Sequence, residues 1–477
     1  MEFVSKSKGA LPALLVFAST VMLVWFGNGL NPSWPLLWFA PLPVLWFALR
    51  NSWSTTAIVA ASSYLVGCLN LWHYFRVLSP YVWAAFFCSA ALAFVLGVLL
   101  FRALVNRGGT WSALLALPSV WVCFEFIRNY LLPHGTAGSL AYTQLHCLPI
   151  LQLASLTGPW GISFLLLLFP AVLALGVHLR RTAPKRSLRV LGVGLGAVAG
   201  VLIFGVVRLE WPQGQQRVTV GLIASDEPGN GNMAPAGADT QRLLNDYAIR
   251  VEELAARGAQ VIVLPEKLGT LFGQDTTAAD AIFQSLADQT KATIVVGVVR
   301  LAPQLKSNQA RVYAPEAGVL SYDKHHLLPP FESMFTPGTT RTLLSRPSGT
   351  WGVAICKDMD FTPLSRSYGK SNVGLMLVPG WDFDLDRSWH GHMAVMRGVE
   401  DGFSMARAAK GGYLTVSDDR GRVLAETQSD SAPFATLLAE VPVAHDETLY
   451  LLMGDWFAWL AIATLAFAIL QLFRLNR

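Results

Sequence analysis

The sequence predicts a helical membrane domain joined to one water-soluble α/β layered domain, and three observations carry that reading. Charged residues make up 14% of the 477, against roughly 25% in a soluble globular chain, and the deficit lies in residues 1–210. That region holds apolar runs of membrane-spanning length, whereas residues 212–448 have the composition of an ordinary soluble domain. Within the soluble stretch, short apolar strand patterns alternate with amphipathic helical ones, which is the mark of layered α/β structure.

A spanning helix needs about 20 mostly apolar residues. Eight stretches meet the requirement: 10–29, 33–50, 54–75, 81–105, 111–129, 155–179, 188–207 and 451–472. The chain therefore divides into a membrane domain over 1–211 with about seven helices, a soluble domain over 212–448, and a last transmembrane helix within 449–477. The second stretch is interrupted by Pro35, Pro41 and Pro43; proline is tolerated in a membrane helix when neighbours satisfy the freed backbone groups. The first stretch is too long for a cleaved signal peptide, and no clear cleavage site follows it.

Basic residues orient the chain. Lys6 and Lys8, Arg50, Arg102 and Arg107, the group Arg180, Arg181, Lys185, Arg186 and Arg189, and finally Arg474 and Arg477 occupy alternate loops and tails. The intervening short loops carry little beyond Arg76 and Arg128. Both termini are expected in the cytoplasm and residues 208–450 on the far side, the periplasm of a bacterial cell. The net charge of +5 is largely this bias. No basic stripe is present, so no nucleic-acid partner is expected.

Of the five cysteines, Cys68, Cys88, Cys123, Cys147 and Cys356, only Cys356 lies in the soluble domain, so that domain holds no internal disulfide. No Cys-x-x-Cys or His-rich spacing appears, and no metal is expected.

In the soluble domain, Val218–Ala224 is a strand candidate and Thr240–Arg257 an amphipathic helix, with Leu243, Leu244, Tyr247, Val251 and Leu254 on one face. Val261–Leu264 is a buried strand ending at Pro265-Glu266. A helix over Ala278–Thr290 and a strand over Thr293–Val299 follow. Later strands are expected at Val319–Tyr322, Gly352–Ile355, Val373–Val378 and Tyr413–Ser417, with a helix over His392–Ala409 between the last two.

Three strand ends each present a reactive group: Glu266, Lys324 and Cys356. Catalytic side chains often sit at such ends, on loops held by a rigid sheet. A cysteine needs a base to become a thiolate, and a glutamate can serve. A lysine beside both stabilises the thiolate and a developing oxyanion. Acyl chemistry through a thioester needs these three elements and no metal or other cofactor. Taken singly, each has a plainer role: a packed thiol, a helix-capping or solvated carboxylate, a surface cation. The combination carries the argument.

That combination has a family likeness. Residues 218–425 resemble the nitrilase, or carbon–nitrogen hydrolase, superfamily in Leu264-Pro-Glu266, Asp323-Lys324-His-His-Leu-Leu-Pro and Ile355-Cys356. The resemblance implies a four-layer αββα sandwich with Glu266 as base, Lys324 stabilising the tetrahedral intermediate and Cys356 as nucleophile. Nearly the whole chain is similar to the apolipoprotein N-acyltransferase family, in which several membrane spans, a periplasmic nitrilase-like domain and a final span follow in this order. Further resemblance lies in Tyr322-Asp-Lys-His-His-Leu-Leu-Pro-Pro-Phe-Glu332, which places the family's second glutamate at Glu332. It also lies in Leu140-Ala-Tyr-Thr-Gln144, Thr157-Gly-Pro-Trp-Gly-Ile-Ser-Phe164, Met396-Arg-Gly-Val-Glu400 and Arg407.

The chain departs from the family after the nucleophile, where Lys357-Asp358 replaces the usual Tyr-Glu, and in Pro379-Gly-Trp-Asp-Phe383. Asp358 keeps a carboxylate with a shorter reach, and Lys357 puts a cation where a ring is usual. The resemblance implies two membrane-bound partners, a phospholipid acyl donor and a diacylglyceryl-lipoprotein acceptor, and a home in the bacterial inner membrane. The alternative is a membrane-tethered amidase that hydrolyses a carbon–nitrogen bond.

Other residues carry two readings each. Glu125 and Arg128, one turn apart near a span end, are either functional or a simple pair. Trp381, Trp389, Phe331, Met334 and Phe335 are either an acyl pocket or interfacial anchors. His390 and His392 read as loop or helix-start residues rather than a metal pair, and His325 and His326 as shaping the Lys324 loop.

Overall fold

The computed structural model describes residues 2–78, 80–228, 232–303 and 305–475, leaving aside the side chains of residues 2–10, 77, 78 and 80. Lys6, Lys8 and Arg477, used above for orientation, lie outside the described side chains. The chain forms two units: 1–131, 138–210 and 453–477, and separately 132–137 with 211–452.

The first unit is helical: α1 (Glu2–Gly27), α2 (Trp34–Leu37), α3 (Leu42–Ala48), α4 (Trp53–Gly67), α5 (Trp72–Leu78), α6 (Pro80–Asn106), α7 (Thr110–Leu131), α8 (Leu148–Leu151), α9 (Ala154–Thr157), α10 (Pro159–Leu179), α11 (Pro184–Glu210) and a final helix, Trp456–Arg474. Among the described residues, six helical stretches are long and apolar enough to cross a membrane: 53–76, 81–106, 110–131, 159–179, 184–210 and 456–474. The expected second span is corrected. Residues 33–50 form two short helices, with prolines opening each one, because a proline fits a first turn and breaks a helix interior. The sixth expected span starts at Pro159, after Gly158 at φ 63°. Glu125 of α7 accepts hydrogen bonds from Trp121 Nε1 (2.9 Å), Ser139 Oγ (3.0 Å) and the Leu140 amide (2.8 Å). It thereby pins the turn Leu140–Gln144, and Arg128 stacks over Phe86 and Phe124.

The second unit is an αββα sandwich. Its strands are β1 (Arg217–Ala224), β2 (Val261–Val263), β3 (Thr270–Phe272), β4 (Thr293–Ala302), β5 (Leu305–Tyr313), β6 (Leu320–Asp323), β7 (Thr342–Arg346), β8 (Gly349–Val353), β9 (Val373–Trp381), β10 (Ser404–Lys410), β11 (Tyr413–Ser417), β12 (Val423–Gln428) and β13 (Ala435–Pro442). One sheet runs β13-β1-β2-β4-β5-β6 with β3 beside β4, and the other runs β12-β11-β10-β9-β8-β7. The central pairs β1–β2, β2–β4, β8–β9 and β9–β10 are parallel.

Alternation explains the layers. Val220, Leu222, Val261 and Val263 meet Val353, Leu375, Leu377, Ala406 and Ala408 between the sheets. The intervening residues face outward: Ile223 and Ile262 against α12 (Ala238–Ala256) and α13 (Gln274–Thr290), and Met376 and Val378 against α14 (Thr362–Gly369) and α15 (Trp389–Asp401). Strands covered on both faces read as continuous apolar runs, which is why they stood out in sequence. On α12 the predicted stripe Leu243, Leu244, Tyr247, Val251 and Leu254 is buried, each large side chain contributing about 1.5–3 kcal/mol by leaving water.

One element differs from expectation. The helix over His392–Ala409 ends at Asp401, and residues 404–410 are strand β10. Gly402 caps the helix in the left-handed region at φ 71°, and its Cα is so close to the Asp446 carbonyl that a Cβ would meet that oxygen at 1.7 Å.

Candidate functional site

Glu266 stands three residues beyond β2, Lys324 one beyond β6, and Cys356 three beyond β8. Backbone bonds fix the first two loops. The Glu266 amide donates to the Gly380 carbonyl of β9 (3.1 Å), and Lys324 exchanges backbone bonds with Asn308 of β5 and Gly338 (both 2.9 Å). A Cβ on Gly297 of β4 would lie 2.3 Å from the Pro265 oxygen and 2.6 Å from the Glu266 Cα. Only glycine lets the Glu266 loop cross that strand.

Lys324 is buried between two carboxylates, donating to Glu266 Oε1 at 2.8 Å and Glu332 Oε2 at 2.9 Å. Asn308 Nδ2 bridges the same pair, at 2.5 Å from Glu266 Oε1 and 2.8 Å from Glu332 Oε1. Lys267 Nζ adds a contact to Glu332 at 2.7 Å, and the Leu328 amide donates to its other oxygen at 2.9 Å. Burial alone would lower the Lys324 ammonium, but Glu266 and Glu332 outweigh it and hold it above its ordinary value. For Glu332 burial pulls upward, and Lys324 and Lys267 overcome it, setting its carboxyl at about 2.

This last shift has a pH consequence. A carboxyl depressed on folding adds stability above its unfolded value, near 4.5, and loses it as pH falls through about 2. The stability gap between wild type and Glu332→Gln is therefore expected to be largest at neutral pH and to shrink steadily below about pH 4.5. Thermal unfolding of both proteins from pH 7 down to pH 3 checks this; a constant gap would contradict it.

Cys356 occupies the left-handed region at φ 44°, which costs a non-glycine residue about 1–3 kcal/mol and marks functional turns. Its thiol donates weakly to the Trp381 carbonyl at 3.6 Å. Burial pushes the thiol up and Glu266 adds to this, while Lys324 and Arg407 pull it down. Arg407 of β10 donates to the sulfur at 3.8 Å and forks onto Asp382 at 2.6 and 2.7 Å.

The two residues after the nucleophile point elsewhere. Lys357 Nζ donates to the Pro133 carbonyl and lies 5.0 Å from the Phe361 ring centre; burial lowers its ammonium. Asp358 accepts from the Tyr322 hydroxyl (2.8 Å) and the amides of His326 (2.8 Å) and Ile355 (3.1 Å). Asp358 thus ties the cysteine turn to the Lys324 loop.

Phe331 and Met334 are exposed, while Phe335 is buried. Trp381 lies under Lys410, whose Nζ is 3.5 Å from the ring centre, and burial, then Lys267, lowers that ammonium to about 7. His390 starts α15 between Asp360 (3.3 Å) and Asp386 (3.4 Å). Burial opposes its charge, but the two acids raise it to about 10. Among the described residues no group of three His, Cys, Asp or Glu side chains is arranged to hold a metal. Asn308, Lys267 and Lys410 carry no signal of their own in sequence, and Asp382 shows there only within the departure Pro379-Gly-Trp-Asp-Phe383.

Residues 20–172 match the apolipoprotein N-acyltransferase N-terminal domain, and residues 231–444 match the carbon-nitrogen hydrolase family. The chain is 30% identical over 406 residues to the apolipoprotein N-acyltransferase of Geobacter metallireducens, covering 78% of this chain and 77% of that one. It is 22% identical over 527 residues to apolipoprotein N-acyltransferase 2 of Treponema denticola, covering 96% and 97%. An amidase from Nesterenkonia is 21% identical with a TM-score of 0.43, covering 52% of this chain and 97% of that one.

Proposed function

Because the chain belongs to the apolipoprotein N-acyltransferase family, we propose that it moves an acyl chain from a phospholipid, through a thioester on Cys356, to the N-terminal amine of diacylglyceryl-cysteine lipoproteins. The carrying observation is the buried pair Glu266–Lys324, held rigid by Glu332 and Asn308 beside a thiol that both its members influence.

The resting thiol keeps its proton, since burial dominates. Attack therefore requires Glu266 to take that proton as sulfur bonds to the ester carbonyl carbon. The Lys324 ammonium stabilises the oxyanion, a contribution of about 3–4 kcal/mol for a preorganised donor. The ester C–O bond breaks, the lysophospholipid oxygen takes the proton from Glu266, and a thioester remains. The acceptor amine then attacks, loses its proton through Glu266, and the thiol is restored. Glu332 and Asn308 fix Lys324 and Glu266 rather than touching substrate.

The six long apolar helices and the bacterial relatives support a multi-pass protein of the inner membrane. The basic loops support a periplasmic catalytic domain and cytoplasmic termini.

Expression in a bacterium depleted of its own lipoprotein N-acyltransferase tests the reading. Growth and triacylated lipoproteins are expected to return. Protein that inserts yet restores neither would overturn the lipoprotein substrate and direct attention to amide hydrolysis.

A further inference from the structure

Arg407 is fully buried and comes from β10, an element that supplies none of the three residues above. Its Nη1 and Nη2 hold the two oxygens of Asp382, one residue beyond β9, at 2.7 and 2.6 Å. A terminal guanidinium nitrogen carries two hydrogens. One hydrogen of Nη2 is used by Asp382, and Cys356 Sγ lies at 3.8 Å from the same nitrogen. The backbone is cut away to admit the group. A Cβ on Gly380 would stand 3.0 Å from both Cζ and Nη2. The fork, which a lysine cannot imitate, is therefore aimed at the sulfur by a carboxylate and given room by Gly380. Lys324, by contrast, is committed to two glutamates.

We propose that Arg407, locked by Asp382, is a fourth catalytic residue, which holds the negative charge on the Cys356 sulfur when it attacks the ester and again when it is expelled from the thioester. The inference rests on Cys356 being the nucleophile. In the first step the S–H bond breaks, the proton goes to Glu266, and the electron pair stays on sulfur facing Nη2. In the second the C–S bond breaks and its pair returns to sulfur, to be protonated from Glu266. Arg407 stays a cation throughout and exchanges no proton.

The sulfur is faced by Glu266 and Lys324 from the first sheet and by Arg407 and Asp382 from the second, while Lys357, turned to the Pro133 carbonyl, is coupled to it only through its charge. Asp386 and His390 stand behind Asp382. A single Arg407 variant would strand a buried Asp382, which is strongly destabilising. The test therefore uses the charge-neutral double variant Arg407→Gln/Asp382→Asn in the full-length protein. The rate of iodoacetamide alkylation of Cys356 is followed against pH by peptide mass spectrometry, beside thermal unfolding and acyl-adduct formation from phosphatidylethanolamine vesicles. Arg407 pulls the thiol down more than Asp382 pushes it up, so alkylation at each pH from about 7 to 9 is expected to slow by roughly threefold or more, and acylation at least about tenfold. A folded double variant with the wild-type alkylation profile overturns the proposal while leaving the nucleophile intact. An acyl adduct that persists in Cys356→Ala would instead overturn the nucleophile itself.

Discussion

Replacing Lys324 by methionine is expected to abolish turnover and to lower the unfolding temperature by roughly 6–20 °C at neutral pH. The reason is geometric. Glu266 and Glu332 both rest on Nζ, at 2.8 and 2.9 Å, and both are buried. Removing the ammonium leaves two buried carboxylates sharing the Asn308 amide, with Lys267 close to Glu332 (2.7 Å) and farther from Glu266 (3.7 Å). Breaking a buried pair by deleting one partner costs about 3–5 kcal/mol. The oxyanion also loses its cation, which lowers kcat by at least about 10²–10³-fold. Two controls separate these effects. Lys324→Met/Glu332→Gln removes one stranded charge, so stability is expected to return in part while activity does not. Acidification should also narrow the deficit of Lys324→Met, since a carboxyl can then take up a proton. A Lys324→Met protein as stable as wild type in thermal unfolding would show that the ammonium does not hold the two acids together.

The second large effect is of the opposite kind. Cys356→Ala is expected to lower acyl transfer by about 10⁴-fold or more while leaving stability within about 1 kcal/mol. The sulfur's bonds are long, 3.6 Å to the Trp381 carbonyl and 3.8 Å from Arg407 Nη2, and Arg407 keeps Asp382 when sulfur is gone. Activity assayed by lipoprotein mass shift, beside a thermal melt, checks both halves. Unchanged transfer by the alanine variant would remove Cys356 from the chemistry, and a collapsed fold would show that its role is packing.

Much of this architecture is legible in the sequence, and the reasons are local. Strands such as Val261–Val263 and Val373–Trp381 are apolar on both faces because each sheet is covered twice, so their ends, and the groups just beyond them, can be found by eye. Glu266, Lys324 and Cys356 are picked out in that way; Lys324 and Glu266 lie 2.8 Å apart, and both act electrostatically on the Cys356 thiol. Asn308 is not, because β5 buries Ser307, Asn308, Gln309 and Arg311, the last three against polar partners, and no apolar alternation announces it. The Lys324 amide bonds to Asn308 across the sheet, a pairing that only the register reveals.

Two other differences have similar causes. The apolar stretch 33–50 has the composition of a span but its prolines divide it, so hydropathy alone overcounts. Residues 392–409 are rich in apolar residues through both α15 and β10, and the helix end is marked by Gly402 after Glu400 and Asp401. Reading through it merged a strand into a helix and hid the fact that Arg407 lies on a strand directed at Cys356. Asp382 was visible only as a departure from a familiar motif; its function is spatial, through Arg407 twenty-five residues away.

The most direct measurement is the intact and peptide mass of purified full-length protein after incubation with phosphatidylethanolamine vesicles and no acceptor. A single acyl chain in thioester linkage on Cys356, released by hydroxylamine and discharged by a diacylglyceryl-cysteine peptide, is the predicted result. Acyl transfer to that peptide with Cys356 unmodified at every time point would contradict the account.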